Sequence, residues 1–102
     1  MISETAQSQV QLDNPSVCFP FIHMNGNSGK ALGGQYFDAL RALEQFSEKF
    51  FAVEFHKRDY YPKGDESWNM AVSQRDEVKQ KIKDIRKHLE LHAAHCFEVA
   101  RK

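Results

Sequence analysis

Apolar residues recur along most of this chain at alternating intervals of four and three. One row reads Leu32, Tyr36, Ala39, Leu43, Phe46, Phe50, Val53, and a second reads Trp68, Ala71, Arg75, Val78, Ile82, Ile85, Leu89, His92, Cys96, Val99. That spacing keeps one face of a helix apolar and predicts two amphipathic helices. Phe37, Leu40 and Phe51 flank the first row, so helix 1 is apolar over a width that can touch two neighbours. The outer positions of helix 2 carry mixed charge (Asp76, Glu77, Lys79, Lys81, Lys83, Asp84, Arg86, Lys87) and read as a solvated face. Of its i,i+4 pairs, Glu77–Lys81 is a favourable ion pair.

Punctuation sets the boundaries. Asn27 or Ser28 caps helix 1, and Asn25-Gly26 before it favours a tight turn with positive φ. Gly33-Gly34, one turn inside, either frays the helix so that it starts at Gln35 or marks the close approach of another backbone. Pro62 bars helical continuation and biases Tyr61 to extended geometry, and Gly64-Asp65 restarts the chain with Asp65 as a cap. The expected domain is residues 17–102, with helix 1 over about 28–56, a loop over 57–65 and helix 2 over about 66–101. The helices would be roughly 40 and 50 Å long, and a short connection makes them antiparallel. Residues 1–16 read as a flexible arm, polar and without periodicity through Asn14. Pro15 and Pro20 bracket Val17, Cys18 and Phe19, with Phe21 and Ile22 beyond, which excludes a helix and predicts an extended segment laying its aromatics on a helical surface. The fold class is all-α: an antiparallel two-helix hairpin with an extended N-terminal arm, assembling as a helical bundle, dimer or higher.

Composition narrows the function classes. With 14 basic and 14 acidic residues among 102, the formal net charge is zero, which argues against general nucleic-acid binding or a membrane surface. The longest apolar run falls far short of the ~20 residues of a membrane span. Eight Phe point to an aromatic-rich core or interface. Two cysteines, no CxxC and no leader-like segment fit a reducing cytoplasm.

Three constellations could carry chemistry. Gly26-Asn27-Ser28-Gly29-Lys30 resembles a phosphate loop but fails: Met24 stands where the first glycine belongs, Ala31 where Ser or Thr should follow the Lys, and no strand precedes it. What remains is a turn and cap, or an anion site at a helix N-terminus beside Lys30. The stretch from His56 to Gly64 holds Arg58, Asp59, Tyr60 and Tyr61, with Lys57 and Lys63, in a connection that needs few residues. Either Arg58–Asp59 pair while the tyrosines cap the bundle, or these planar groups recognise a ligand. His88, His92, His95 and Cys96 share helix 2, with His23 and Cys18 brought near by an antiparallel hairpin. Zinc would accept that donor set, but His92 and Cys96 also fit simple packing on the seam, and no metal site is assigned. No cofactor is expected. Catalytic triads, paired carboxylates in a pocket and dinucleotide fingerprints are missing, so the chain is not expected to be an enzyme.

His23-x-Asn25-Gly26-x-Ser28 and Arg58-Asp59-Tyr60-Tyr61-Pro62, separated by one amphipathic helix and followed by a longer one, resemble a family of short uncharacterised proteins of bacteriophages and prophages. The resemblance spans about residues 22–100. It implies an all-helical fold, a phage or prophage origin and residence in the bacterial host cytoplasm. Small phage proteins are often counter-defence factors, which sequester nucleotide messengers between protomers or block a host protein by surface contact. On the first reading His23, Asn25, Gly26, Ser28 and Lys30 of one protomer join His56, Arg58, Asp59, Tyr60 and Tyr61 of another, since one hairpin holds the two motifs a helix length apart. On the alternative, an anti-CRISPR-like inhibitor or adaptor uses the surplus aromatics Phe19, Phe21, Phe37 and Phe51 on a host protein.

Overall fold

A computed structural model describes residues 17–101. Helix α1 spans Gly29–Ala52 and helix α2 spans Asp65–Ala100, with single 3-10 turns at Lys57–Asp59 and Tyr61–Lys63 between them. No strand occurs among the described residues, so the all-α expectation holds. The expected arm, residues 1–16, lies outside the described residues.

Local chemistry explains the boundaries. Ser28 sits extended at the N-cap of α1, and its hydroxyl accepts from the Ala31 N–H at 3.0 Å. The helix therefore begins ahead of the glycine pair and not at Gln35. It ends four residues before the expected His56: Val53 leaves helical geometry at ψ 126°, and Phe55 folds back to stack on Trp68 at 4.8 Å. Burying that aromatic outweighs one more helical turn. The Gly26 N–H donates to the His23 carbonyl at 3.1 Å, closing the expected turn, but Gly26 does not adopt positive φ. Gly64 does, at 103°, and it occupies the cap position of α2 that the sequence assigned to Asp65. A side chain there would be strained. Asp65 and Glu66 instead enter the first turn, where the helix dipole favours carboxylates.

The two helices meet in opposite order along their lengths. Gly29 lies under Cys96 and Ala100, Gly33 under the Phe97 ring, Tyr36 against His92, Glu44 against Arg86, and Phe50 against Arg75. The longest extent, 60 Å, is close to the ~54 Å of a 36-residue helix. The core is correspondingly thin. Ile82, Ala93 and Cys96 are its buried apolar residues, joined by Ser47 and His92.

One expectation is corrected here. Of the expected row, Tyr36, Leu43 and Phe50 face α2, together with Gly29, Gly33, Leu40 and Ser47, whereas Leu32, Ala39, Phe46 and Val53 lie on its flank. A Cβ on Gly29 would stand 2.7 Å from the Cys96 carbonyl oxygen, and one on Gly33 would stand 3.0 Å from the Phe97 ring. The helix backbones approach that closely because small residues line the contact. Phe46 in that row would hold the helices apart, so it turns away and is 53% exposed. Gly34 has nothing within 4 Å of its would-be Cβ and takes no part in the approach.

Candidate functional site

The first motif forms the open end of the helix pair. The His23 ring folds over Gly26, with Nε2 3.0 Å from the position of an added Cβ, and stacks on Phe21 at 5.8 Å between ring centres. Asn25 and Lys30 are exposed. Ser28 already satisfies one free N–H of α1, and Gly29 is buried against α2, so the helix N-terminus is only partly open to a ligand.

The second motif closes the other end. His56 accepts from the Arg58 N–H through Nδ1 at 3.3 Å and so caps the first 3-10 turn. Arg58 reaches Glu54 at 3.3 Å, not Asp59, and Lys57 reaches Asp65 at 3.7 Å. Both pairs are exposed, and such pairs are weak enough for an incoming phosphate to compete for either cation. Tyr60 packs between Phe55 and Trp68 at 5.7 and 5.6 Å, whereas Tyr61 is exposed. Asp59 is exposed, and its N–H bonds the His56 carbonyl. The two motifs therefore stand at opposite ends of α1, and no single chain brings them together.

The histidines of α2 do something the sequence did not indicate. His95 donates through Nε2 to the Pro20 carbonyl at 3.1 Å, and the buried His92 lies with Nε2 3.3 Å from the Cys18 carbonyl and Nδ1 2.9 Å from the His88 carbonyl. A neutral imidazole can donate through only one of two such nitrogens. Phe19 stacks flat on His95 at 4.6 Å and tilts against His92 at 4.9 Å. Residues 17–22 are thus held on α2 by ring stacking and carbonyl bonds, as expected of an extended segment, although Phe21 is left 83% exposed. Among the described residues no group of three or more His, Cys, Asp or Glu is placed to hold a metal ion. Burial raises the His-adjacent Cys96 thiol above its ordinary value, which keeps it un-ionised and unlike an activated nucleophile.

Among the described residues, shallow grooves run beside α1. One, of about 310 Å³, is lined by Leu32, Gln35, Tyr36, Ala39 and Leu89. Another, of about 270 Å³, lies toward the loop among Phe50, Val53, Phe55, Tyr60 and Arg75. Arg75 threads beneath the rings of Phe50 and Phe55, 4.8 and 4.7 Å from their centres. The heptad rule placed Arg75 on the seam, and the aromatics on either side were the available signal for a cation–π contact. No helix among the described residues is long and apolar enough to cross a membrane. No family model, curated protein or solved structure matches the chain.

Proposed function

We propose that the chain is a counter-defence protein of a phage or prophage that works as a pair of antiparallel hairpins and captures a nucleotide-type signalling molecule between copies. One observation carries this reading: the polar motifs stand at opposite ends of α1, and the flank between them is apolar and exposed. A second copy covering that flank in the reverse direction brings the turn of one chain to the loop of the other. Each composite end then offers free N–H groups of α1, Lys30, Arg58 and the exposed ring of Tyr61, which together suit a phosphate and a base. His23, Asn25, Gly26 and Ser28 shape the turn, while His56, Asp59 and Tyr60 hold the loop. Calorimetry and thermal shift with cyclic dinucleotides and cyclic ADP-ribose isomers test it. The expected result is two ligands per dimer, and absence of binding across the panel sinks the reading.

A second reading, an inhibitor of a host protein, is favoured by Phe37 and Phe51, which are about half exposed away from the flank of Phe46. A stoichiometric host protein co-purifying with the chain supports it, and a nucleotide absorbance in the purified material supports the first.

A further inference from the structure

The helix contact leaves a second heptad row on α1, formed by Leu32, Gln35, Ala39, Ala42, Phe46, Lys49 and Val53. At 100° per residue this row points about 100° away from the row that meets α2, which is the angle between two neighbours in a four-helix bundle. Lys49, at its edge, is the one charge on it, and Phe46 and Val53 are 53% and 58% exposed. The matching flank of α2 intersperses Met70 and Ile85, 59% and 49% exposed, with Glu77, Lys81 and Asp84, so the less charged row of α1 finds its like on another α1.

We infer that a second copy docks on this row, α1 against α1 in reverse, about a two-fold axis passing between Ala42 and Leu43. Zero net charge removes any repulsion between copies. The register follows from size. With the axis there, Phe46 of one protomer faces Ala39 of the other, Leu32 faces Val53, and the small residues Ala39 and Ala42 let the helices close. On the rim, Lys49 comes within about 3 Å along the axis of the other protomer's Asp38. Neither residue has an ion-pair partner among the described residues. The same axis brings the start of each α1 toward the loop that follows the other α1, the two ends of the proposed nucleotide site.

The inference rests on the reading that the chain works as a pair, and two measurements separate the two. Light scattering on the full chain is expected to give twice 11.8 kDa; a monomer overturns both. Phe46→Glu is expected to give a monomer with unchanged helical circular dichroism, and Phe37→Glu, on the other flank, the wild-type mass. A dimeric Phe46→Glu protein overturns this face. Register is read by mild oxidation in a Cys18→Ser background. Ala42→Cys, next to the axis, is expected to cross-link to itself, and Gln35→Cys, ~22 Å from its copy, is not. Equal cross-linking of both overturns the antiparallel register while leaving dimerisation intact.

Discussion

The two ends of the helix pair are held by opposite means. At the open end the backbones nearly touch. Gly29 lies directly on the α2 backbone and Gly33 under the Phe97 ring, Cys96 is fully buried, and residues 17–22 lie across His92 and His95. At the loop end Phe50, Phe55, Tyr60 and Trp68 gather around the Arg75 guanidinium, and no residue beyond Ser47 on that side is buried. Close packing of small groups leaves nowhere for an extra atom to go. A cluster of half-exposed rings can slide and re-stack. The open end is therefore the brittle one, and substitutions of similar size should cost unequally at the two ends.

The sharpest way to break this comparison is Gly29→Ala. Its methyl would stand 2.7 Å from a backbone oxygen, so α2 itself must move, and we expect a loss of about 1–3 kcal/mol. Gly34→Ala, five positions along the same helix and in open space, should instead gain up to ~1 kcal/mol from helix propensity. Urea unfolding of the two variants reads the difference, and equal effects refute the close approach. Gly33→Ala should fall between them, since it meets only the ring of Phe97, whose outer side is free to swing.

At the loop end, Trp68→Ala removes the ring on which Phe55 and Tyr60 stack, and should cost about 2 kcal/mol, less than a fully buried ring would. Arg75→Met keeps the apolar stem and loses the cation over two rings, for about 0.5–1 kcal/mol. A Trp68→Ala loss exceeding that of Gly29→Ala would reverse the ranking of the ends. Between them lies Ser47, buried with a hydroxyl that meets no hydrogen-bond partner. Ser47→Ala removes an unsatisfied group without opening space for water and should stabilise by about 1 kcal/mol.

Much of this was legible in the sequence. Trp68, Val78, Ile82, Leu89 and Cys96 fall on the contact face of α2 where the four-three spacing puts them, and Ser28 caps α1 as its chemistry requires. On α1 the same rule found Tyr36, Leu43 and Phe50 but misplaced the rest, because it weighs bulk. It followed Phe46 and Val53 onto the flank and passed over Gly29, Gly33 and Ser47, which face α2 because they are small. The polar loop was recognisable as unusual, but its pairings were not. Arg58 reaches back to Glu54 because α1 stops at Ala52 and the 3-10 turn then folds over it, a bend no local pattern encodes. The histidines of α2 drew notice as metal donors through their spacing, whereas their partners are carbonyls of residues 74 and 75 positions away in sequence.

Acid is the gentlest probe of the two ends. His88 is held below its ordinary value of 6.5 by burial and then by the neighbouring charge of His92, whose ring lies 4.0 Å away. Glu44 is held below 4.5 chiefly by the hydrogen bond from Arg86, against a smaller opposing effect of burial. In both cases the unfolded chain binds a proton more readily than the folded one, so each contribution is complete above the ordinary value and is lost as pH falls through the folded one. The expected urea midpoint therefore declines in two small steps, the first below about 6.5 and the second below about 4.5. Both groups are solvent-exposed, which keeps the steps shallow. His88→Gln should erase the first step alone and Glu44→Gln the second. Because His88 stacks on the ring that holds residues 17–22, amide exchange should rise at the open end first as pH falls. Exchange rising first around Phe55 and Trp68 would show that the aromatic end, and not the close-packed one, is the weaker.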